Sequence, residues 1–79
     1  MVEAFVLINT DVESPKNQVF EDLKEINGVD KVYNTNYSIY DFVAEVQTKA
    51  MAELKALVFQ RIREIDAVES TTTLVVAKK

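Results

Sequence analysis

Two threonines near the C-terminus, Thr71 and Thr73, have side chains that could bind a small polar molecule. Residues two apart on a β-strand point to the same face, so their hydroxyl groups would lie side by side. A hydroxyl both donates and accepts hydrogen bonds, and two of them could hold an α-carboxylate or an α-ammonium group. Threonine is also favoured in strands for packing reasons, and the pattern taken alone favours that interpretation.

A second candidate is the pair Tyr40-Asp41. The carboxylate of Asp41 could supply a counter-charge for an amino group, as a single polar anchor in a mostly apolar pocket. Alternatively, Asp41 accepts hydrogen bonds from backbone donors at the end of a hairpin. The sequence supports these two interpretations equally.

The residue types that most often carry catalysis or bind metals are missing. The chain has no histidine and no cysteine, which removes the usual ligands of zinc, haem and copper and the thiol nucleophile. Asp41, Glu45 and the tyrosines remain for acid–base chemistry. We therefore predict no metal, no cofactor and no enzymatic activity, with a small cofactor-free enzyme as the less favoured alternative.

Composition restricts the partners. A net charge of −4 in 79 residues disfavours direct binding to nucleic-acid phosphates, which requires clustered Lys and Arg. No segment approaches 18 consecutive apolar residues, and the N-terminus lacks a secretory pattern. We predict one cytoplasmic domain over residues 1–79, without membrane contact. The charged helix residues, including Arg61 and Arg63, are predicted to be solvated, with an acidic partner as a minor alternative.

The chain contains an internal repeat. The segment VFEDLKEINGV at residues 19–29 returns as VFQRIREIDAV at residues 58–68. In each copy the apolar residues fall at i, i+1, i+4 and i+7, which is one face of a helix, and a turn and a β-branched run follow. Each copy is predicted to form helix, turn and strand, with Phe20 and Phe59 both in the core.

The predicted elements alternate in the order βαββαβ. Strands are expected at residues 2–8, 29–36, 40–48 and 68–77, and helices at residues 15–26 and 49–65. Ser14 and Thr48 are expected as helix N-caps, with Pro15 as a first helical residue. Gly28 is expected in the left-handed conformation. This order predicts an α+β, ferredoxin-like fold, in which both helices cover one face of a four-stranded antiparallel sheet.

The first strand, VEAFVLI, is apolar on both of its faces. Two helices on one side of the sheet leave the other face uncovered. We therefore predict a homodimer that packs sheet against sheet, the alternative being a partly exposed sheet.

Four sequence features carry a family resemblance: AFVLINT in the first strand, the paired turns INGV and IDAV, Tyr-Asp at the start of the third strand, and VESTTTLVV at the end. Together they resemble the effector-binding RAM domain of the Lrp/AsnC transcription regulators, in the form of the members that have no DNA-binding domain. The resemblance implies a dimer that assembles into a larger oligomer and binds small effectors, mostly amino acids, between dimers. It also implies that transcription is modulated by oligomerisation or by co-assembly with full-length regulators.

The resemblance places the ligand-binding residues at Ser38, Tyr40, Asp41, Thr71 and Thr73. The hairpin YSIYD departs from the family pattern because it has no glycine and is about one residue longer. If Tyr37 or Ile39 filled the pocket, the chain would be a purely structural homo-oligomeric subunit, which is the alternative function.

Overall fold

The computed structural model describes residues 1–13, 15–35 and 39–77. The elements, in chain order, are β1 (Val2–Thr10), α1 (Lys16–Lys24), β2 (Val29–Asn34), β3 (Phe42–Thr48), α2 (Met51–Ala56), a π-helix that continues α2 (Leu57–Ile62), and β4 (Val68–Val75). This order confirms the predicted βαββαβ arrangement.

The four strands form one antiparallel sheet in the order β2-β3-β1-β4. The central strand β1 pairs on one side with β3 and on the other with β4, so Ile8 lies between Phe42 and Thr71. The side chains of Ala4, Val6 and Ile8 are at most 1% exposed. These alternate residues form the centre of the core, as expected for the strand face covered by helices.

The two copies of the repeat supply matching core residues from the two helices. Val19 and its counterpart Val58 are buried, and so are Leu23 and its counterpart Ile62. An i, i+4 pair lies on one face of a helix, which lets each helix place both of its side chains against the sheet. The repeat therefore describes the core of both halves correctly at these positions.

The phenylalanines of the two copies differ. Phe20 packs against the core, with its ring centroid 6.3 Å from that of Phe42. Phe59 is 60% exposed, so the prediction that it belongs to the core is wrong. Its neighbours include Thr71 and Thr73 of β4, which leave an open groove beside the ring rather than a packed surface.

The face of the sheet opposite the helices is also apolar at its centre. Phe5 is 38% exposed and Leu74 is 52% exposed, and they lie opposite each other on β1 and β4. Leu7 and Val43 form a second apolar pair beside them and are half-buried. The prediction that β1 is apolar on both faces is confirmed, and the described residues of the chain cover only one of those faces.

The turn between α1 and β2 requires glycine. Gly28 has φ +99°, and a Cβ atom at this position would lie 2.7 Å from Cδ1 of Leu57. Side chains are disfavoured at such a φ angle, and the close approach of Leu57 adds a steric reason. The predicted left-handed conformation is confirmed.

Both predicted helix N-termini need correction. Pro15 is the N-cap of α1 rather than its first helical residue, with φ −74° and ψ 101°, and the Ser14 prediction lies outside the described residues. The N-cap of α2 is Ala50, not Thr48. Thr48 pairs with Val2 at the end of β3, and this ladder keeps it in the strand. Its hydroxyl instead donates a hydrogen bond to the carbonyl of Ala50, at 3.1 Å.

The remaining boundaries shift by a few residues. α1 ends at Lys24 rather than at residue 26, β1 continues to Thr10, and β4 ends at Val75. The second helix is α-helical only to Ala56 and then becomes a π-helix, which the apolar periodicity did not predict. Of the predicted β2–β3 hairpin, residues 36–38 lie outside the described part. No helix in that part of the chain is long and apolar enough to cross a membrane.

Candidate functional site

An open groove lies between the second helical segment and the edge strand β4. Its volume is about 460 Å³, within the range of small-molecule pockets. The apolar part of its lining comes from Met51, Leu54, Val58, Phe59 and Val75. Leu54 and Val58 are buried, while Phe59 and Met51 expose much of their surface at the opening. The groove therefore combines a packed apolar floor with an accessible aromatic ring.

Polar and charged groups line the same groove. Thr71 and Thr73 lie opposite Ile8 and Val6 of β1, so their side chains are on the helix-covered face. Both are half-buried and contribute to the groove. The structure thus brings the two threonines together on one face, as the sequence predicts.

Lys55 and Arg63 also line the groove, and the guanidinium of Arg63 lies 5.5 Å from the ring centroid of Phe59. The sequence analysis did not assign a role to Lys55 and treated Arg63 as solvated helix surface. The repeat could have singled out Arg63, because its counterpart in the first copy, Lys24, is also basic. Lys55 likewise has a lysine 39 positions earlier, Lys16, but both precede the repeated segments.

Asp41 makes its contacts elsewhere, at the end of β1. Its Oδ2 accepts hydrogen bonds from the backbone N–H and the hydroxyl of Thr10, each at 2.8 Å. It also accepts a hydrogen bond from Nζ of Lys16 at 3.3 Å, and Lys16 donates a further one to the Thr10 hydroxyl. Thr10 is only 5% exposed. The carboxylate therefore connects the end of β1 to the start of α1.

These contacts stabilise the charged form of the carboxyl group. The hydrogen bond from the Thr10 backbone lowers the pKa of Asp41 below its ordinary value of 3.8, and the Thr10 hydroxyl and Lys16 lower it further. Partial burial raises the pKa of Asp41, but the pKa remains below its ordinary value. Of the two roles considered for Asp41, the structure shows hydrogen bonding to a backbone donor.

The predicted site residues fall in two separate places of the chain. The amide of Asp41 donates to the carbonyl of Ile8 at 2.9 Å from the β3 side, whereas Thr71 pairs with Ile8 from the β4 side. Two strand spacings separate them, about 10 Å. Tyr40 directly precedes Asp41 in the chain, and its carbonyl accepts a hydrogen bond from the Thr35 hydroxyl. Ser38 lies outside the described residues.

The sheet order, with two helical segments on one face, defines an α+β protein of the ferredoxin-like class. The family model of the Lrp/AsnC ligand binding domain matches residues 3–79. The chain therefore belongs to the Lrp/AsnC ligand-binding domain family, whose members are the regulatory domains of transcriptional regulators.

Solved structures agree with this assignment. TTHA0845 from Thermus thermophilus is 34% identical, with a TM-score of 0.91 over 100% of this chain and 96% of that one. A feast or famine regulatory protein from M. tuberculosis, complexed with L-methionine, is 25% identical, with a TM-score of 0.84 over 100% of this chain and 52% of that one. AsnC of E. coli shares the fold at 23% identity, with a TM-score of 0.90 over 99% of this chain and 52% of that one.

The chain thus spans about half the length of these last two regulators. A search of the curated proteins finds no match.

Proposed function

We propose that this chain is a non-enzymatic effector-binding module of the cytoplasm. It binds a small amino acid or related metabolite and modulates transcription, through its own oligomerisation or by co-assembly with full-length Lrp/AsnC regulators. The observation that carries the proposal is the groove of this chain, in which Thr71 and Thr73 lie beside a buried apolar floor. The chain's membership of a ligand-binding domain family supports a ligand as the occupant of that groove. The L-methionine complex of the M. tuberculosis relative supports an amino acid as the starting class of ligand.

The separation of the two groups of predicted residues supports a ligand bound between subunits. Within one protomer, Thr71 and Thr73 lie on the β4 side of β1, and Tyr40 and Asp41 lie on the β3 side. The fully buried Ile8 lies between the two groups, so a small ligand does not contact both within one protomer. A molecule that contacts both groups would therefore take them from two different protomers.

The uncovered face of the sheet supports the homodimer. Its central side chains, Phe5 and Leu74, expose more than a third of their surface, and Leu7 and Val43 extend the same apolar patch. Contiguous apolar surface of this kind is typical of a protein–protein contact. Sheet-against-sheet packing of two protomers would remove it from water.

The dimer can be tested by light scattering at micromolar concentration. The unmodified chain should have at least the mass of a dimer, and Leu74→Lys should shift it toward the monomer because an unpaired charge would enter an apolar interface. The matched control is Val12→Lys, since Val12 is 90% exposed on the β1–α1 loop, away from the sheet. A monomer mass for the unmodified chain would contradict the proposed dimer.

Effector binding can be tested by thermal melting against the twenty amino acids and related acids. A ligand present at about 100 times its dissociation constant adds about 2.7 kcal/mol of stability, which raises the Tm of a domain of this size by roughly 10 °C or more. The gain should disappear in a Thr71→Val, Thr73→Val double variant. Thr72→Val is the matched control, because Thr72 lies between them on the opposite face of β4. Since that face is the proposed dimer interface, light scattering should first show that Thr72→Val keeps the mass of the unmodified chain.

A chain whose Tm no ligand raises would contradict the effector-binding function. The ionisation of Asp41 bears separately on catalysis. The pKa of Asp41 shifts downward, whereas a carboxyl group acting as a general acid near neutral pH needs a raised pKa. This direction argues against Asp41 as a general acid.

A further inference from the structure

The internal repeat provides a comparison for the residues of the groove. Lys55, Phe59 and Arg63 lie 39 positions after Lys16, Phe20 and Lys24. The helices of the two copies also bury matching residues against the sheet. Differences between the paired positions therefore show what is particular to the groove.

The first difference is the packing of the aromatic ring. Phe20 is covered within the protomer and packs against Phe42. Phe59 is 60% exposed, and no aromatic ring of the described residues packs against it. The second copy therefore presents an apolar, flat surface to whatever occupies the groove.

The second difference concerns the cation over that ring. In the first copy, Lys24 pairs with Glu21 at 3.8 Å. In the second copy the corresponding residues are Arg63 and Gln60, so the carboxylate has become an uncharged amide. Arg63 keeps its position over Phe59 but forms no ion pair within the described residues. A guanidinium that is held by a ring and lacks an internal carboxylate is well prepared to bind an external one.

The third difference concerns the lysine. Lys16 pairs with the carboxylate of Asp41 at 3.3 Å, whereas Lys55 forms no ion pair with any residue that the structure describes. Among the described residues that line the groove, none carries a carboxylate. Each groove cation thus lies 39 positions after a lysine that pairs with a carboxylate, although Lys16 and Lys55 precede the repeated segments themselves.

We propose that the groove binds a small carboxylic acid that has an aliphatic tail and no ammonium group, of the α-keto acid class. Arg63 binds its carboxylate, and Thr71 and Thr73 donate hydrogen bonds to its oxygens. Lys55 lies about two helical turns before Arg63 and adds positive charge to the groove, while the tail packs on Phe59 and the buried floor. This inference rests on the proposed effector-binding function and narrows its effector to an anion.

The charges of the groove explain why the ammonium group is excluded. An α-ammonium group would lie near two cations, with no acidic side chain of the described groove lining to balance it. The Asp41 carboxylate does not fill this role within one chain, because Asp41 lies on the β3 side of β1 and the threonines lie on the β4 side, about two strand spacings apart. An amino acid would therefore lose through repulsion part of what its carboxylate gains.

The test compares two ligands with the same tail, α-ketoisocaproate and L-leucine, by calorimetric titration of the full chain. The keto acid should bind at least tenfold more tightly. Arg63→Gln should weaken its binding about tenfold or more, because a charge-assisted contact is lost. Lys24→Gln is the matched control at the repeat counterpart, and it should leave the affinity unchanged. In methyl NMR spectra the keto acid should shift the signals of Thr71 and Thr73 but not that of Thr72.

Three outcomes would overturn the inference. If L-leucine binds more tightly than α-ketoisocaproate, or any other amino acid binds more tightly than its own keto acid, the inference is rejected and the proposed effector-binding function stays in place. Keto-acid binding that Arg63→Gln does not weaken would also reject it, because the carboxylate would then lie elsewhere. If no amino acid and no keto acid binds the folded chain, both the inference and the proposed function fail.

Discussion

Replacing Asp41 with alanine should destabilise the fold, because one carboxylate oxygen connects β1 to α1. Oδ2 accepts two hydrogen bonds of 2.8 Å from Thr10 and one of 3.3 Å from Lys16. Hydrogen bonds to a charged group contribute about 1.5–3 kcal/mol each when well formed. The Lys16 side chain is 41% exposed and that of Asp41 is 36% exposed, so water replaces part of the interaction and the ion pair itself contributes little.

Most of the loss should come from Thr10, which is 5% exposed and would keep a backbone N–H without its acceptor. We expect Asp41→Ala to lower the free energy of unfolding by about 2–3 kcal/mol, or the Tm by roughly 10–20 °C. Urea denaturation at neutral pH measures this loss. The control is Asp66→Ala in the exposed turn before β4, with an expected change within about 0.5 kcal/mol.

The pH dependence gives an independent check. The pKa of Asp41 is lower in the folded chain than its ordinary value of 3.8. The stabilisation is therefore fully present above that value and is lost as the pH falls through the folded-state pKa. The difference in unfolding free energy between the unmodified chain and Asp41→Ala should be largest at neutral pH and should shrink in acid. A loss below about 0.5 kcal/mol at neutral pH, or a difference that does not change in acid, would refute the structural role.

Three further predictions follow from other parts of the fold. Gly28→Ala should lower the unfolding free energy by about 2 kcal/mol in urea denaturation, because Gly28 has a φ of +99° and an added Cβ atom would lie too close to Leu57. An unchanged urea midpoint would contradict the positive φ of Gly28. Ala50→Ser should raise the unfolding free energy by about 1 kcal/mol, because it adds an N-cap side chain to α2. Thr48→Ala should change the unfolding free energy little, because Thr48 is not the cap. Phe20→Ala should lower the unfolding free energy by about 3 kcal/mol, because this ring is packed against Phe42. Phe59→Ala should lower it by less than about 1 kcal/mol in the unliganded chain, because this ring is 60% exposed. Equal losses of stability in thermal melts would show that Phe59 is packed as well.

The order of elements and the core could be predicted from the sequence, because both depend on local periodicity. The repeat predicted that Val19 and Leu23 share one face of the first helix, and that Val58 and Ile62 share one face of the second. All four residues are buried. The alternation of Thr71 and Thr73 likewise fixed their common face. Gly28 predicted a turn with a positive φ, which the structure has, because glycine tolerates a positive φ in any context.

The helix caps could not be predicted from residue type alone. Thr48 is a favourable N-cap residue, yet its pairing with Val2 keeps it in β3, and the cap falls on Ala50. Sheet pairing is a long-range contact, and it overrides a local preference of about 1 kcal/mol.

The candidate site depended still more on tertiary structure. In sequence, Asp41 is equally suited to bind a ligand or a backbone donor, and its neighbours Thr10 and Lys16 are 31 and 25 residues away. The exposure of Phe59 is equally invisible in a repeat where Phe20 occupies the same position and is packed. Periodicity assigns a side chain to a face of its own element, but the element packed opposite decides whether that face is filled or left open as a groove.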